Sequence, residues 1–402
     1  MTNNILLQCA LKEFYENGIT CYFVGGCVRD QILGIPTDDI DICLVGVTDR
    51  TLVTEILAKY ANSVAAEKGA NFPVWIADFG GDKIDFALAR EEEFKGVTRQ
   101  NFSIQFKGVT IGQDLLRRDL TVNAMAINCH TGEFVDPYGG RNDLEALIAR
   151  PVSAAFADDP LRVVRAARFM VKLNLEAKEQ LILTCWFLRP VGISNERIGM
   201  ELKKVLYYEV STTSTFFKFL KQVDWLNTYF GQINNDLFEA RMKAIDKLNL
   251  SPLEKATLLC YGLSPKEVEK MLGGISLLDG NFRKQISCLL KNAKVLGKAD
   301  FDRSTACKVL RDLDQHGLSL DTLYNVIERI NVCFDDGYCP RHHKIFIEIQ
   351  NTGYSVIVTG DMLIELGYSQ GKELGQKMAQ LLELQDQGIL HASTWQYYFI
   401  LL

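Results

Sequence analysis

A change of texture near Asp143 divides this 402-residue chain. Before it, short apolar strands alternate with helical segments and glycine turns. After it, helical periodicity dominates to the C-terminus. Alternation of period 2 buries one face of a sheet, whereas period 3.6 buries one stripe of a helix, so the two stretches build different layers. The length also exceeds what a single compact core holds, and two to four domains are expected. The expected fold class is α+β, an α/β head followed by an all-helical remainder. No internal repeat or low-complexity segment is apparent.

Within the head, the spacing predicts a helix over 5–16, a strand over 21–24, and a helix over 28–33 that ends at the turn Gly34-Ile35-Pro36. The alternation Ile40-Asp41-Ile42-Cys43-Leu44-Val45 reads as a strand. Residues 73–79 and 83–89 read as a hairpin around Gly80-Gly81-Asp82. Residues 91–113 are polar and aperiodic, and are expected to form a long mobile loop; loops of that length tend to be functional.

Composition excludes several classes. Apolar content is 48% and charged content 23%, ordinary for a globular protein. No run approaches the ~18–20 apolar residues of a membrane helix. The opening MTNNILLQCALKEFYENG carries Lys12, Glu13 and Glu16 and lacks the pattern of a secretion signal. Eleven cysteines are scattered without a CxxC pair, so free thiols in a reducing cytoplasm are expected. Cys333, Cys339, His342 and His343 cluster, but C-x5-C-x2-HH is not a usual zinc spacing, and an irregular loop is the better reading. Net charge is −6, which gives no hint of a nucleic-acid partner. Bases do outnumber acids between Arg241 and Asp300; a solvated helical surface explains them more simply than a phosphate-binding face.

Three strings carry the chemistry. In the first, Asp39 and Asp41 flank Ile40 at the start of a strand, where residues two apart share a face. Two carboxylates so placed hold divalent cations, which activate an attacking hydroxyl and neutralise a leaving pyrophosphate. Alone, D-x-D is weak. Upstream, however, stands Val24-Gly25-Gly26-Cys27-Val28-Arg29-Asp30, a strand, a glycine turn and a helix start, where backbone N–H groups can approach phosphates and Arg29 adds a cation. Asp85, on a neighbouring predicted strand, is a candidate third carboxylate, as a metal ligand or as a base; a solvent-facing position is an equal alternative.

The second string, Asp114 to Ala124, offers Arg118 to phosphate, and Asp119 or Asn123 to ribose hydroxyls. The third is Asp158-Asp159-Pro160-Leu161-Arg162-Val163-Val164-Arg165-Ala166-Ala167-Arg168-Phe169. Pro160 fits the first turn of a helix that Asp158 or Asp159 caps, and Asp159, Arg162, Arg165 and Arg168 recur every three residues near one face. A capped helix with a basic solvent stripe would look the same. Facing a base edge, a carboxylate accepts from an exocyclic amine while an arginine donates to the adjacent ring nitrogen. Cytosine and adenine satisfy that pair; uracil and guanine do not, and unpaired buried polar groups reject a wrong substrate strongly.

Together these strings resemble the class II tRNA nucleotidyltransferase and poly(A) polymerase family. GGCVRD with Asp39-x-Asp41 matches its motif A, RRDLTVNAMA its motif B, and DDPLRVVRAARF its motif D, the amino-acid template for CTP and ATP. ISNERIGMEL (193–202) resembles the neck motif, and VTGDMLIELGYSQGKELGQ (358–376) the tail. The resemblance implies a polymerase-β-like nucleotidyltransferase head (1–150), a helical neck for base recognition (151–210), a helical body (211–330) and a tRNA-binding tail (331–402). It implies Mg²⁺ on Asp39 and Asp41; Asp85, from the residue reading above, is the third candidate of the catalytic set. By the resemblance, nucleotide contacts fall to Gly26, Arg29, Arg118, Asp159, Arg162, Arg165 and Arg168, and the residue reading adds Gly25, Asp119 and Asn123. The implied activity is CCA addition to tRNA 3′ ends from CTP and ATP, and loop 91–113 resembles the flexible element needed for the terminal A. Asp158 departs from the usual glutamate of motif D, the segment between Leu173 and Leu183 is shortened, and no His-Asp phosphohydrolase signature is present. A poly(A) polymerase or A-adding enzyme of the same family is the nearest alternative; a non-catalytic RNA-binding relic is disfavoured by intact Asp39, Asp41 and Arg118.

Overall fold

A computed structural model describes residues 4–37, 39–66, 73–94, 102–274, 280–297, 301–334, 345, 346, 349, 357–365 and 367–390. The chain forms two compact units, one of Met1–Val205 with Thr215–Thr228, the other of Leu206–Ser214 with Tyr229–Leu402.

The first unit opens with α1 (Ile5–Glu16), whose N-terminus is capped by the Asn4 side chain accepting from Leu7 N–H. Next come β1 (Thr20–Val24), α2 (Gly26–Ile32), β2 (Ile40–Val45), α3 (Arg50–Tyr60), β3 (Ser63–Ala66), β4 (Val74–Phe79) and β5 (Asp82–Leu88). β6 (Glu91–Phe94) and β7 (Phe102–Gln105) form a separate ribbon, and α4 (Ile111–Leu116), β8 (Ala126–Asn128), β9 (Phe134–Val135) and α5 (Gly140–Glu145) complete the head. The expected helices and strands up to residue 89 are present within a residue or two of their anticipated limits.

The main sheet has the order β3-β4-β5-β2-β1-β8-β9. Every neighbouring pair is antiparallel except β2 and β5. Alternation sorts their side chains. Ile40, Ile42 and Leu44 pair in register with Ile84, Phe86 and Leu88, and all six are buried. Phe14 of α1 meets Phe86 with ring centroids 6.1 Å apart, which fixes this as the face under the helix layer. Asp41 and Asp85 are also register partners and therefore share the opposite face. There Cys43, Val24, Ala124, Ala126 and Leu115 form a second apolar cluster, which seats the floor of a site.

Gly140, in the first turn of α5, lies against the tight turn Thr121–Asn123. A Cβ there would overlap the Thr121 carbonyl oxygen and come within 2.9 Å of Met125 Cγ. Backbone cannot yield as a flexible side chain does. Gly140→Ala is expected to lower the unfolding temperature by several degrees, about 1–3 kcal/mol, in thermal denaturation. An unchanged midpoint would show that α5 can move away without cost.

The rest of the first unit is helical except for a two-residue parallel pair, β10 (Ile148–Ala149) with β11 (Glu176–Ala177). α6 (Leu161–Leu173) is almost wholly buried, and α7 (Glu179–Phe187) follows. α8 (Asn195–Tyr207), α9 (Ser214–Gln222) and α10 (Leu226–Phe230) are divided between the units.

The second unit contains α11 (Phe238–Ile245), α12 (Pro252–Cys260), α13 (Pro265–Gly274), α14 (Gly280–Leu296), α15 (Arg303–Gln315) and α16 (Leu320–Phe334), then helices Gly360–Glu365 and Lys372–Asp386. α12 starts with a capping box, Ser251 and Glu254, and Pro252 at its first position, as the sequence rules for helix entry require. Two bases of the basic stretch are internal struts. Arg241 is fully buried and donates to the carbonyls of Tyr261 and Ile233, and Lys255 donates to the Tyr208 carbonyl. Lys247, Arg283 and Lys291 are ion-paired with Glu328, Glu269 and Asp312. Cys339, His342 and His343 lie outside the described residues.

Candidate active site

A cavity of about 530 Å³ opens on the face of the head sheet that carries Asp41 and Asp85, and is lined by all three strings. Asp39, just before β2, is exposed; Asp41 and Asp85 stand side by side on the parallel pair. Burial pushes the Asp41 carboxyl up to about 6; Arg118 pulls against this, while the charges of Asp39 and Asp85 reinforce it. Three carboxylates lining one cavity form a hard oxygen donor set with charge to neutralise, which fits a small divalent cation.

Gly25 takes φ +73°, and a Cβ on it would sit 2.7 Å from Arg118 Nη1. Its backbone conformation favours glycine, and a side chain there would also displace the guanidinium that lies over it. Arg118 also pairs with the buried Asp114 (3.2 Å), whereas its Nε is buried without a partner. Arg29 is 2% exposed. It pairs with Asp30, donates to the Asn123 side-chain oxygen and lies over the Phe169 ring, so its charge is fixed rather than searching solvent. Lys172 approaches Asp30 from α6 at 3.1 Å.

Asp119 accepts from Arg165 Nε (2.9 Å), Asn123 Nδ2 (3.0 Å) and Leu120 N–H (2.8 Å). Burial alone would raise its pKa; the Arg165 charge and these bonds overcome it and hold the carboxyl well below the usual range. Asp119 and Asn123 are both buried at 5% exposure, so they act on the cavity wall.

The third string differs in detail from the expected helix face. Asp159 precedes α6, with Oδ1 accepting from Leu161 N–H (3.1 Å) and Oδ2 from Arg197 Nη2 (2.9 Å). Arg162 donates to the Ala155 carbonyl, and Arg168 pairs with Glu201 of α8. The arginines line the cavity instead of forming a solvent stripe. Asp158 is raised by burial against the pull of Arg162. Arg197 and Glu201, partners of Asp159 and Arg168, were not singled out from the sequence, although both lie in ISNERIGMEL at the i, i+4 spacing that places them on one helix face. Asp114, Lys172 and Lys204 also line the cavity and were likewise missed.

The segment 91–113 is more ordered than a mobile loop where it is described. Glu91–Phe94 pairs antiparallel with Phe102–Gln105, and α4 begins at Ile111 behind a Thr110–Gln113 capping box. Glu92 is held by Arg90 (2.7 Å) and Arg117 (3.6 Å), and Arg50 lies over the Phe106 ring. Three consecutive glutamates carry no period-2 signal, so neighbours rather than alternation set this ribbon. Residues 95–101 lie outside the described set.

A mixed sheet with paired carboxylates beside a glycine turn defines a nucleotidyltransferase-type head, and residues 21–150 match the poly(A) polymerase head domain. The chain belongs to the CCA-adding enzyme family. It is 30% identical over 352 residues to a CCA-adding enzyme of Francisella tularensis subsp. novicida, covering 82% of this chain and 88% of that protein. It is 38% identical over 221 residues to a multifunctional CCA protein of Haemophilus ducreyi, covering 53% of this chain and 51% of that one. The chain thus spans about half the length of several curated relatives it matches. The fold is that of a Bacillus stearothermophilus CCA-adding enzyme solved with CTP (TM-score 0.71, 21% identity, 96% and 94% of the two chains). It is also that of a Thermotoga maritima enzyme solved with tRNA (TM-score 0.66, 22% identity, 96% and 92%). Among the described residues no helix is long and apolar enough to cross a membrane.

Proposed function

We propose that this chain adds C and A nucleotides to the 3′ end of tRNA without a nucleic-acid template, consuming CTP and ATP and releasing pyrophosphate. One observation carries the reading: a single cavity gathers three carboxylates, a phosphate-directed arginine over a glycine turn, and an acid–arginine pair able to read a base edge. Solved relatives bind CTP, ATP and tRNA, which supports the choice of substrates.

In this reading Asp39 and Asp41 hold Mg²⁺, with Asp85 as a further ligand or as the base that takes the proton of the RNA 3′-hydroxyl. A metal ion held by these carboxylates would lower the pKa of the attacking hydroxyl and offset the charge of the leaving pyrophosphate. The Gly25-Gly26 backbone and Arg118 receive the triphosphate. Asp159 accepts from the exocyclic amine of cytosine or adenine while Arg162 donates to the ring nitrogen beside it. Arg197 keeps Asp159 aimed, since its bond to Oδ2 restricts the carboxylate to one rotamer. Arg29, Asp119, Asn123, Arg165 and Arg168 hold the walls through the pairings above and meet the nucleotide from there. The attack forms one P–O bond at the α-phosphorus and breaks the bond to pyrophosphate.

We assign the head to 1–150, the neck to 151–210, the body to 211–330 and the tail to 331–402. A reducing, cytoplasmic setting suits the ten described free thiols, several of them buried and shifted away from ionisation. The test is product sequencing on tRNA that ends before CCA, with all four NTPs supplied. CCA is the expected product. A-only or poly(A) tails would instead support the reading drawn from the poly(A) polymerase head match.

A further inference from the structure

The second unit has its own cavity, about 410 Å³, lined from α13, α14 and α15. On its wall Cys288, Asp312 and His316 bring one sulfur, one carboxylate oxygen and one imidazole nitrogen within 4.8 Å of one another. We propose that these three side chains bind a borderline-soft divalent metal ion, with zinc as the natural occupant. No step of nucleotide addition uses this group.

The donor set is selective. A thiolate sulfur beside an imidazole suits zinc and is a poor match for magnesium or calcium, which take oxygen ligands. Asp312 and His316 are four apart at the end of α15, and Cys288 faces them from α14, so two elements close on one point.

Supporting contacts point the same way. His316 Nδ1 lies 2.7 Å from the Asp312 carbonyl oxygen. The same nitrogen lies 3.6 Å from Asp312 Oδ1, so the imidazole is held beside the carboxylate. Asn292, 2% exposed, donates through Nδ2 to both Cys288 Sγ (3.3 Å) and Asp312 Oδ2 (2.9 Å). The buried amide thus bridges the two side chains, and the Cys288 thiol donates to the Asp312 carbonyl oxygen (3.5 Å).

Lys291 now pairs with Asp312 (2.9 Å), yet its side chain is 68% exposed and swings into solvent at little cost. On binding, the Cys288 thiol gives its proton to water as the metal–sulfur bond forms, and nothing is oxidised. The remaining coordination position falls to water.

Cobalt(II) reports the site without reference to activity, because sulfur ligation gives a near-ultraviolet charge-transfer band that carboxylate sites lack. The full chain, stripped with a chelator, is expected to develop this band at one equivalent of Co²⁺ and to lose it when Zn²⁺ is added. Cys288→Ser should abolish the band, and Asn292→Ala should weaken the affinity about 10–100-fold. His316→Ala, at a partly exposed position, provides a second variant should the buried cysteine prove needed for folding. It should weaken binding at least as much. Absence of the band in the wild-type chain, or a band unchanged in Cys288→Ser or His316→Ala, overturns the assignment.

Discussion

Asp41→Asn is expected to cut nucleotide incorporation by about 10²–10³-fold or more, the scale of losing one preorganised charge-stabilising group, while tRNA binding survives. Single-turnover incorporation and a filter-binding isotherm separate the two; retained activity would remove Asp41 from the metal site. The same substitution has an opposite effect on stability. Folding raises the Asp41 pKa from 3.8 to about 6. The favourable contribution is therefore complete below about pH 4 and is lost as pH rises through 6. At neutral pH the ionised carboxylate costs the metal-free fold on the order of 2–3 kcal/mol. With chelator present, Asp41→Asn should unfold at a higher temperature than the parent near pH 7.5 and at the same temperature near pH 4. A lower midpoint at pH 7.5 would show that Asp41 stabilises the metal-free fold after all.

Arg162→Ala carries the second large effect. If Arg162 supplies the donor that uracil and guanine cannot satisfy, as proposed, its loss should narrow the preference for CTP and ATP over UTP and GTP by about 10²-fold or more before it removes chemistry. The measurement is kcat/KM for each of the four nucleotides on tRNA ending before CCA. Unchanged ratios with uniformly lower rates would mean that Arg162 only braces the Ala155 carbonyl, the contact it makes here. Arg197→Ala should lower selectivity in the same direction but less, because Asp159 keeps its bond to Leu161 N–H.

Much of the head was legible because its elements are locally specified. The strand over 40–45 opens on an apolar–acidic–apolar alternation, and Gly80-Gly81 marks the β4–β5 hairpin without outside help. The carboxylate pair was readable for the same reason, since period 2 alone puts Asp39 and Asp41 on one side. That Asp85 joins them depends on β5 lying parallel to β2, a non-local fact that no window of sequence contains. The arginines of α6 were visible as a stripe, but their partners Asp119, Glu201 and Ala155 come from three other segments, so spacing alone could not tell a solvent stripe from the cavity wall the fold makes. Arg241 and Lys255 failed for a related reason. Composition counts a buried base and an exposed one alike, and only the carbonyls of Tyr261 and Tyr208 reveal that these two are internal.

The parallel pairing of β2 with β5 also bears on how the molecule matures. Antiparallel neighbours can zip from a turn, as β4 and β5 do, but a parallel pair must wait for a longer crossover to close, and such contacts form slowly. Asp41 and Asp85 then meet only when this late closure is complete. A chain still lacking it would display separate acids and no cation trap, so catalytic competence should appear in refolding after the hairpin and helices have already regained their far-ultraviolet signal.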